Sequence, residues 1–438
     1  MSATMIIIIS ISILLVLLMS GCPIFLCMGI AGGLGIFLYS GISGLSVLQT
    51  TVFGALSKFT LVAAPLFILM GEIIFKSGIS KDLYEAFNRI LRRVPGGIAI
   101  ATVFASAIFG ALCGISIAAV ASIGVIALSE MLKRGYDPKL AAGAVCAPGA
   151  LAMLIPPSLL FILYGEVAGV SVAKLFIAGI LPGILLAGLM CLYILIRVII
   201  SSRGAARDTA EEALSSSGTK TINILIRLWA PVALITLVLG SIYIGIATPT
   251  ESAALGVVGA YFIAFIVYRS LNWNSFLDTL ANSARVTGTI LMVFVGAVVF
   301  TQFLNILRVP DSFAQFVASL HVSPFVTMLS IQFMLLVLGM FVDGASMIMI
   351  TTPILLPIVL SQNWNPIWFG VLMITNIEMA VITPPVGLNL YTLATVSDDV
   401  SMETILKGTL PYVLVIFLGL LILMTFPQIS LWLPGLMR

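Results

Sequence analysis

Two double prolines interrupt apolar, membrane-length segments of this chain, at Leu154-Ile155-Pro156-Pro157-Ser158 and at Ile382-Thr383-Pro384-Pro385-Val386, 228 positions apart. Proline lacks a backbone N–H and clashes with the carbonyl one turn back, so two together end a helix. In hydrocarbon the freed carbonyls need other partners. Such a break stands at membrane depth only where it is buried in protein or lines a polar cavity. Matched breaks in the two halves of a membrane chain point to a binding site.

Composition fixes the setting of these breaks. The 438 residues are 61% hydrophobic and 8% charged, with a mean hydropathy of +1.23, far from soluble domains. The fold class is an all-α polytopic membrane protein. At roughly 20 residues per crossing there is room for about ten to twelve crossings and little else. Cys22, Cys27, Cys113, Cys146 and Cys191 lie singly in apolar segments, without metal-site or disulfide spacing, and read as small core hydrophobes. A net charge of +3 is too small for a nucleic-acid surface. Met19-Ser20-Gly21-Cys22 weakly resembles a lipoprotein cleavage site. Met1 to Thr4 carries no side-chain charge and apolar sequence resumes at Pro23, so Met5 to Ser20 reads as a first crossing.

Hydropathy and breakers divide the chain into two similar series. The first contains Met5–Ser20, Pro23–Tyr39, Val47–Phe75, the amphipathic Ser80–Arg93, Gly97–Leu132 interrupted at Gly110 to Gly114, Lys139–Ala168 broken at its prolines, and Val172–Ile200. The second contains Ile224–Ile246, Thr250–Tyr268, Phe276–Leu307, the amphipathic Asp311–Leu320, Pro324–Leu360 interrupted at Gly339 to Gly344, Ile367–Thr395 and Met402–Phe426. Rare residues hold one register throughout. Pro23 pairs with Pro249 (226 apart), Lys58 with Arg285 (227), Pro156 with Pro384 (228), and Gly110, Gly179 and Pro182 with Gly339, Gly408 and Pro411 (229). The chain is therefore an internal duplication, divided at 1–215 and 216–438.

Basic residues orient the copies through the positive-inside rule. Thirteen of the twenty fall in three loops: Lys76, Lys81, Arg89, Arg92 and Arg93; Lys133, Arg134 and Lys139; Arg197, Arg203, Arg207, Lys220 and Arg227. The loops share one face only if Gly97–Leu132 enters and leaves on the same side, as a re-entrant hairpin or a pair of short crossings. Each half then makes five full crossings. An odd number inverts the second copy and puts both termini outside the cytoplasm.

Inverted repeats with re-entrant hairpins and broken helices are a secondary-transporter architecture, with chemistry at the breaks. Both hairpin tips carry Gly-x-Ser, as Gly114-Ile115-Ser116 and Gly344-Ala345-Ser346. Helix packing through small residues explains one tip alone; duplicated placement opposite the proline breaks favours a functional role. Carbonyl and hydroxyl oxygens at such breaks hold a hard cation such as sodium, and two tips facing two breaks imply about two ion sites. The candidates are Gly110, Gly114, Ser116, Gly149 and Pro156 in the first half. In the second they are Gly339, Asp343, Gly344, Ser346, Glu378, Thr383 and Pro384. No organic cofactor is called for.

Intramembrane charges are functional candidates by default. Asp343 has no adjacent base to neutralise it and is a candidate for an ion or gating role, against a structural hydrogen bond. For Glu378, Glu72 and Glu251 function and structural pairing are equally open. Lys58 and Arg285 attract an anionic substrate or pair with one of those carboxylates, and pairing is preferred. Ser158 and Asn389, just past the double prolines, are candidate substrate or ion contacts.

Gly-x-Ser also brings an intramembrane serine protease to mind, with Ser116 or Ser346 as nucleophile. The chain's single histidine, His321, sits just before Pro324 at the outer end of an amphipathic stretch, a poor position for a general base. Without metal-ligand clusters or a phosphate loop an enzyme is not expected. A simple pore is not either, since nothing repeats like a selectivity filter.

The run Ala64-Pro65-Leu66-Phe67-Ile68-Leu69-Met70-Gly71-Glu72, the run Phe109 to Ser116, Gly135-Tyr136-Asp137-Pro138, Ile155-Pro156-Pro157-Ser158 and Gly339-Met340-Phe341-Val342-Asp343-Gly344 resemble the large membrane subunit of tripartite ATP-independent periplasmic (TRAP) transporters, the DctM-like family of the ion-transporter superfamily. The match runs nearly end to end. The resemblance implies a sodium-driven elevator, with scaffold helices at 5–75 and 224–307 and transport elements at 97–200 and 324–426. It implies a bacterial inner-membrane location, a small membrane subunit, here expected as a separate chain, and a soluble periplasmic binding protein that hands over a carboxylate of the C4-dicarboxylate or sialic acid type. The runner-up is a stand-alone sodium/carboxylate symporter of the same superfamily.

Overall fold

The computed structural model describes residues 2–91, 93–200, 228–319, 322–397 and 399–437. Arg92, Arg203, Arg207, Lys220, Arg227, His321 and the repeat boundary at 215/216 lie outside the described residues. All regular structure among the described residues is helical. The first half contains α1 (Ala3–Met19), α2 (Ile24–Ser40), α3 (Ser43–Leu56), α4 (Ala63–Ser77), α5 (Ile79–Leu91), α6 (Gly97–Cys113), α7 (Ser116–Lys133), α8 (Pro138–Ala150), α9 (Leu159–Ala168) and α10 (Val172–Ile200). The second contains α11 (Trp229–Tyr243), α12 (Pro249–Phe262), α13 (Trp273–Ile306), α14 (Val309–Ser319), α15 (Pro324–Gly339), α16 (Gly344–Ser361), α17 (Pro366–Ala380), α18 (Leu388–Val396), α19 (Met402–Thr425) and α20 (Gln428–Gly435).

The same local chemistry starts and stops corresponding helices. Helices α8 and α17 each open on an Asx-Pro pair, where Asp137 accepts from the Lys139 N–H at 3.0 Å and Asn365 from the Ile367 N–H at 2.8 Å. An oxygen side chain at the cap and a proline in the first turn are the favoured way to begin a helix. Both helices end just before a double proline, and a short helix, α9 or α18, resumes beyond it. Seven described helices are long and apolar enough to cross a bilayer alone; the shorter apolar ones arise where the breakers cut longer hydrophobic stretches.

One expected crossing is divided. Val47–Phe75 becomes α3, a 3-10 turn over Phe59–Val62, and α4. Pro65 lies in the first turn of α4, where its missing N–H costs nothing, but an upstream helix cannot continue through it. The register partner of Pro65 is Met292, and there α13 runs unbroken for 34 residues.

Helix α2 packs along α13, α4 against α12, and α8 across α19. The last crossing is backbone on backbone: a Cβ added to Gly408 would lie 2.1 Å from the Lys139 carbonyl oxygen, so small residues set the distance between helices. Helices α6 and α7 form a hairpin that packs on α8, and α15 and α16 join at a second tip. The halves interlock, since α7 lies against α18 and α16 against α9. Each second hairpin arm therefore contacts the half-helix beyond the other half's double proline. Outward-facing Phe53, Val16, Ile184 and Leu414 are more than half exposed, an apolar belt suited to hydrocarbon.

Candidate functional site

Each hairpin tip meets the broken helix of its own half. Gly110 backs onto Ala152, and a Cβ there would sit 2.6 Å from the Ala152 Cβ. Gly114 closes α6 with φ +67°, and its added Cβ would lie 3.1 Å from the Pro157 carbonyl oxygen. Only glycine takes that backbone angle without cost. At the second tip the Val386 N–H, just past Pro385, donates to the Met340 carbonyl at 3.2 Å. Gly339 lies against Ala380 and Gly344 against Ile377. Both double prolines contain a cis peptide bond.

Polar side chains at these junctions are buried and largely satisfied. Ser116 donates through its hydroxyl to Asn389 Oδ1 at 2.8 Å, and Asn389 Nδ2 donates to the Cys146 carbonyl at 3.0 Å. This chain ties the first tip to α8 and to the helix beyond the second break. Ser158, fully buried, donates to the Met153 carbonyl, and Thr383 to the Met379 carbonyl at 2.6 Å. Asp343 caps α16, accepting from the Ser346 N–H at 3.1 Å and the Ser346 hydroxyl at 2.5 Å. Its structural hydrogen bonds are thus on view, alongside a carboxylate that is also exposed. Gly149 lies within α8 against Val120. The two junctions differ in access. Pro156, Pro157 and Ser158 are buried, whereas Pro384, Pro385, Val386 and Phe341, the last 65% exposed, are open.

The charges sort less evenly. Glu378 is fully buried beside the Leu154 backbone, and neither carboxylate oxygen has a hydrogen-bond partner among the described residues. It therefore places an acid between the two breaks, Leu154 preceding one and Thr383 the other. Asn376, on the same helix, donates to the Gln332 carbonyl at 2.7 Å and its side-chain oxygen at 3.0 Å, joining α17 to α15. Glu72 is partly buried on α4, close enough to act electrostatically on Cys113 at the first tip. Glu251 completes a capping box with Thr248, which is a structural role. Arg285 is exposed on α13 and makes no ion pair among the described residues.

Lys58 pairs, as preferred, but not with any of the carboxylates considered from sequence. Its partner is Glu166 on α9, at 2.5 Å, and the Thr60 hydroxyl donates to the other oxygen of the same carboxylate. Lys58 stands in the gap that Pro65 opens between α3 and α4, not inside a helix. Glu166 could have been flagged as an acid within an apolar run, since such residues are functional candidates by default. The Cys146 carbonyl could not, because 243 residues separate it from Asn389.

These junctions offer a hard cation several oxygens: the hydroxyls of Ser116, Ser158, Ser346 and Thr383, the carboxylates of Asp343 and Glu378, and tip and break carbonyls. Among the described residues no group of three His, Cys, Asp or Glu could hold a transition metal. A cleft of about 400 Å³ lined by Pro324, Trp364 and Trp368 lies at the far end of the second hairpin from its tip.

Residues 11–429 match the family described as tripartite ATP-independent periplasmic transporter, DctM component. The C4-dicarboxylate TRAP transporter large permease protein DctM of Pseudomonas aeruginosa is 34% identical over 93% of both chains. The sialic acid TRAP transporter large permease protein SiaM of Vibrio cholerae is 28% identical over 96% of both. Among solved structures the Alcanivorax borkumensis YdaH transporter aligns with a TM-score of 0.62 at 15% identity, covering 88% of this chain and 89% of that one. At that identity the likeness concerns the fold alone.

Proposed function

We propose that this chain, which belongs to the DctM component family of tripartite ATP-independent periplasmic transporters, is the sodium-coupled membrane subunit that imports a small carboxylate. The observation that carries the reading is the pair of hairpin tips seated on pair-matched proline breaks, with buried oxygens at both junctions. That arrangement supplies carbonyl, hydroxyl and carboxylate ligands where helices are interrupted, which is how transporters of this architecture hold coupling ions. About two sodium ions are read into it. One lies at Gly110, Gly114, Ser116, Gly149 and Pro156; the other at Gly339, Asp343, Gly344, Ser346, Thr383 and Pro384, with Glu378 between the breaks. Ser158 and Asn389 are read as substrate contacts, whereas Lys58 is engaged with Glu166 and Arg285 is left as the free cation for an anionic substrate.

Relatives named for C4-dicarboxylates and for sialic acid favour a carboxylate as cargo. In the proposed cycle a periplasmic binding protein delivers it and a small membrane subunit completes the complex. The protein resides in a bacterial inner membrane, with both termini periplasmic and the second repeat inverted. The hairpins and broken helices move as one transport body against scaffold helices.

Reconstitution in sodium-free liposomes, with and without sodium outside, tests this. Uptake that requires an inward sodium gradient, the binding protein and the small subunit is the expected result. Uptake by this chain alone would instead mark a stand-alone sodium/carboxylate symporter, and leakage without sodium dependence a pore.

A further inference from the structure

We infer that Lys58, Thr60 and Glu166 form a one-sided latch that holds the transport elements in the conformation seen here, with no counterpart to hold the opposite one. The inference rests on the moving-body reading above.

The latch spans the boundary between the two bodies. Lys58 and Thr60 lie in the gap between α3 and α4, and Glu166 lies near the end of α9, directly beyond the first double proline. The Lys58 ammonium is 2.5 Å from Glu166 Oε1, and Thr60 donates to the other oxygen. Both carboxylate oxygens are thus engaged from one side, by a cation and a neutral donor. The Glu166 side chain is only 6% exposed and Lys58 53%, so the acid is the committed partner and the lysine reaches in from the surface. Hydrogen bonds to a carboxylate are stronger than neutral ones, and a screened, half-exposed cation still adds to them.

The duplication shows why the device acts on one side. In a chain of inverted repeats alternating access is the rocking of one repeat-built body against the other around the site, so a contact made by one copy is compared with the matching positions of the other. The second-copy positions that would close in the opposite state are Arg285 for Lys58 and Thr287 for Thr60, both 227 further on. The basic residue and the threonine are therefore duplicated. The acid is not: 228 or 229 positions beyond Glu166 stand Ala394 and Thr395. Consistent with that, Arg285 is exposed with no ion pair among the described residues. The second copy also lacks the helix gap that frees Lys58, since Met292 replaces Pro65 and α13 is continuous. A contact that stabilises one state and has no equal in the other shifts the population by its own strength.

The test measures that population by distances between spin labels on α3 and α10, at the exposed Phe53 and Ile184 positions. The full complex in liposomes is used, with the five native cysteines replaced by alanine. Glu166→Gln should lower the ratio of this conformation to the other by about fivefold. The charge swap Lys58→Glu with Glu166→Lys should restore it, which separates loss of the latch from misfolding. The mirror variant Ala394→Glu, which offers Arg285 an acid, should favour the second conformation. Two populations whose ratio ignores Glu166→Gln and Ala394→Glu would overturn the latch while leaving a moving transport body intact. A single distance with and without sodium and substrate would overturn both.

Discussion

The Ser116 hydroxyl donates to Asn389 Oδ1 at 2.8 Å, joining the first hairpin tip to the short helix beyond the second double proline. The two residues are 273 positions apart and lie in different halves of the chain. Asn389 also reaches the Cys146 carbonyl, so a single amide joins three elements that sequence alone lists separately. Any movement of the tip relative to the second break must disturb it.

Asn389→Leu should remove the acceptor of the buried Ser116 hydroxyl and the side-chain donor to the Cys146 carbonyl. Leaving buried polar groups unpaired costs about 1–3 kcal/mol each. Thermal unfolding followed by gel filtration should show a clearly lower midpoint than wild type, and an unchanged midpoint would remove the structural claim. Ser116→Ala, which strands only the Asn389 oxygen, should lose less.

Asp343 combines a helix cap with a charge, and two substitutions separate them. Asparagine caps as well as aspartate, so Asp343→Asn should keep stability within about 0.5 kcal/mol of wild type while raising the sodium concentration needed for half-maximal uptake. Asp343→Ala should lose about 1 kcal/mol in addition. Wild-type sodium activation in the asparagine variant would leave Asp343 as a cap only.

Glu378→Gln replaces a buried carboxyl by a neutral side chain of the same shape. An ionised group in such surroundings carries a desolvation penalty of several kcal/mol, so the variant should fold at least as well as wild type. Sodium-driven uptake should nevertheless fall at least tenfold. Retention of full uptake would make Glu378 a bystander of packing.

Gly114→Ala tests the first junction without touching a polar atom. Its φ of +67° and the nearby Pro157 carbonyl leave a side chain both strained and crowded. The expected cost is about 1–2 kcal/mol, read as a lower unfolding midpoint, with slower uptake. A variant with wild-type stability and rate would show that the tip does not rest on the break.

Much of the architecture is legible residue by residue because it depends on local backbone chemistry. Asp137-Pro138 and Asn365-Pro366 start helices, Pro156-Pro157 and Pro384-Pro385 end them, and Gly114 turns the chain. Each acts within a turn or two of itself, so its effect survives in the linear order. Pro65 acts in the same local way, and the split of Val47–Phe75 into α3 and α4 could have been anticipated from it. Glu166 was equally visible as an acid in an apolar run.

Which side chain meets which is another matter, and the charges illustrate it. From the linear order Lys58 had several carboxylates to choose from; folding brought it to Glu166, through a gap whose position depends on Pro65. Asp343 read as a lone charge and proved to be hydrogen-bonded within its own tip. Glu378 read as a candidate for pairing and has no hydrogen-bond partner among the described residues.

By itself the order of residues determined that this is a helical membrane chain, with its breaks at two double prolines and its turns at two glycine tips. These are consequences of hydropathy and backbone constraint, which operate over a few residues and do not depend on what lies opposite. Only the tertiary structure decided that each tip rests on its own break while each second arm crosses to the other half, that Asn389 closes a contact with Ser116 and Cys146, and that Lys58 pairs with Glu166. Those depend on distances between groups separated by 100 residues or more, and packing of whole helices, not any local preference, sets such distances.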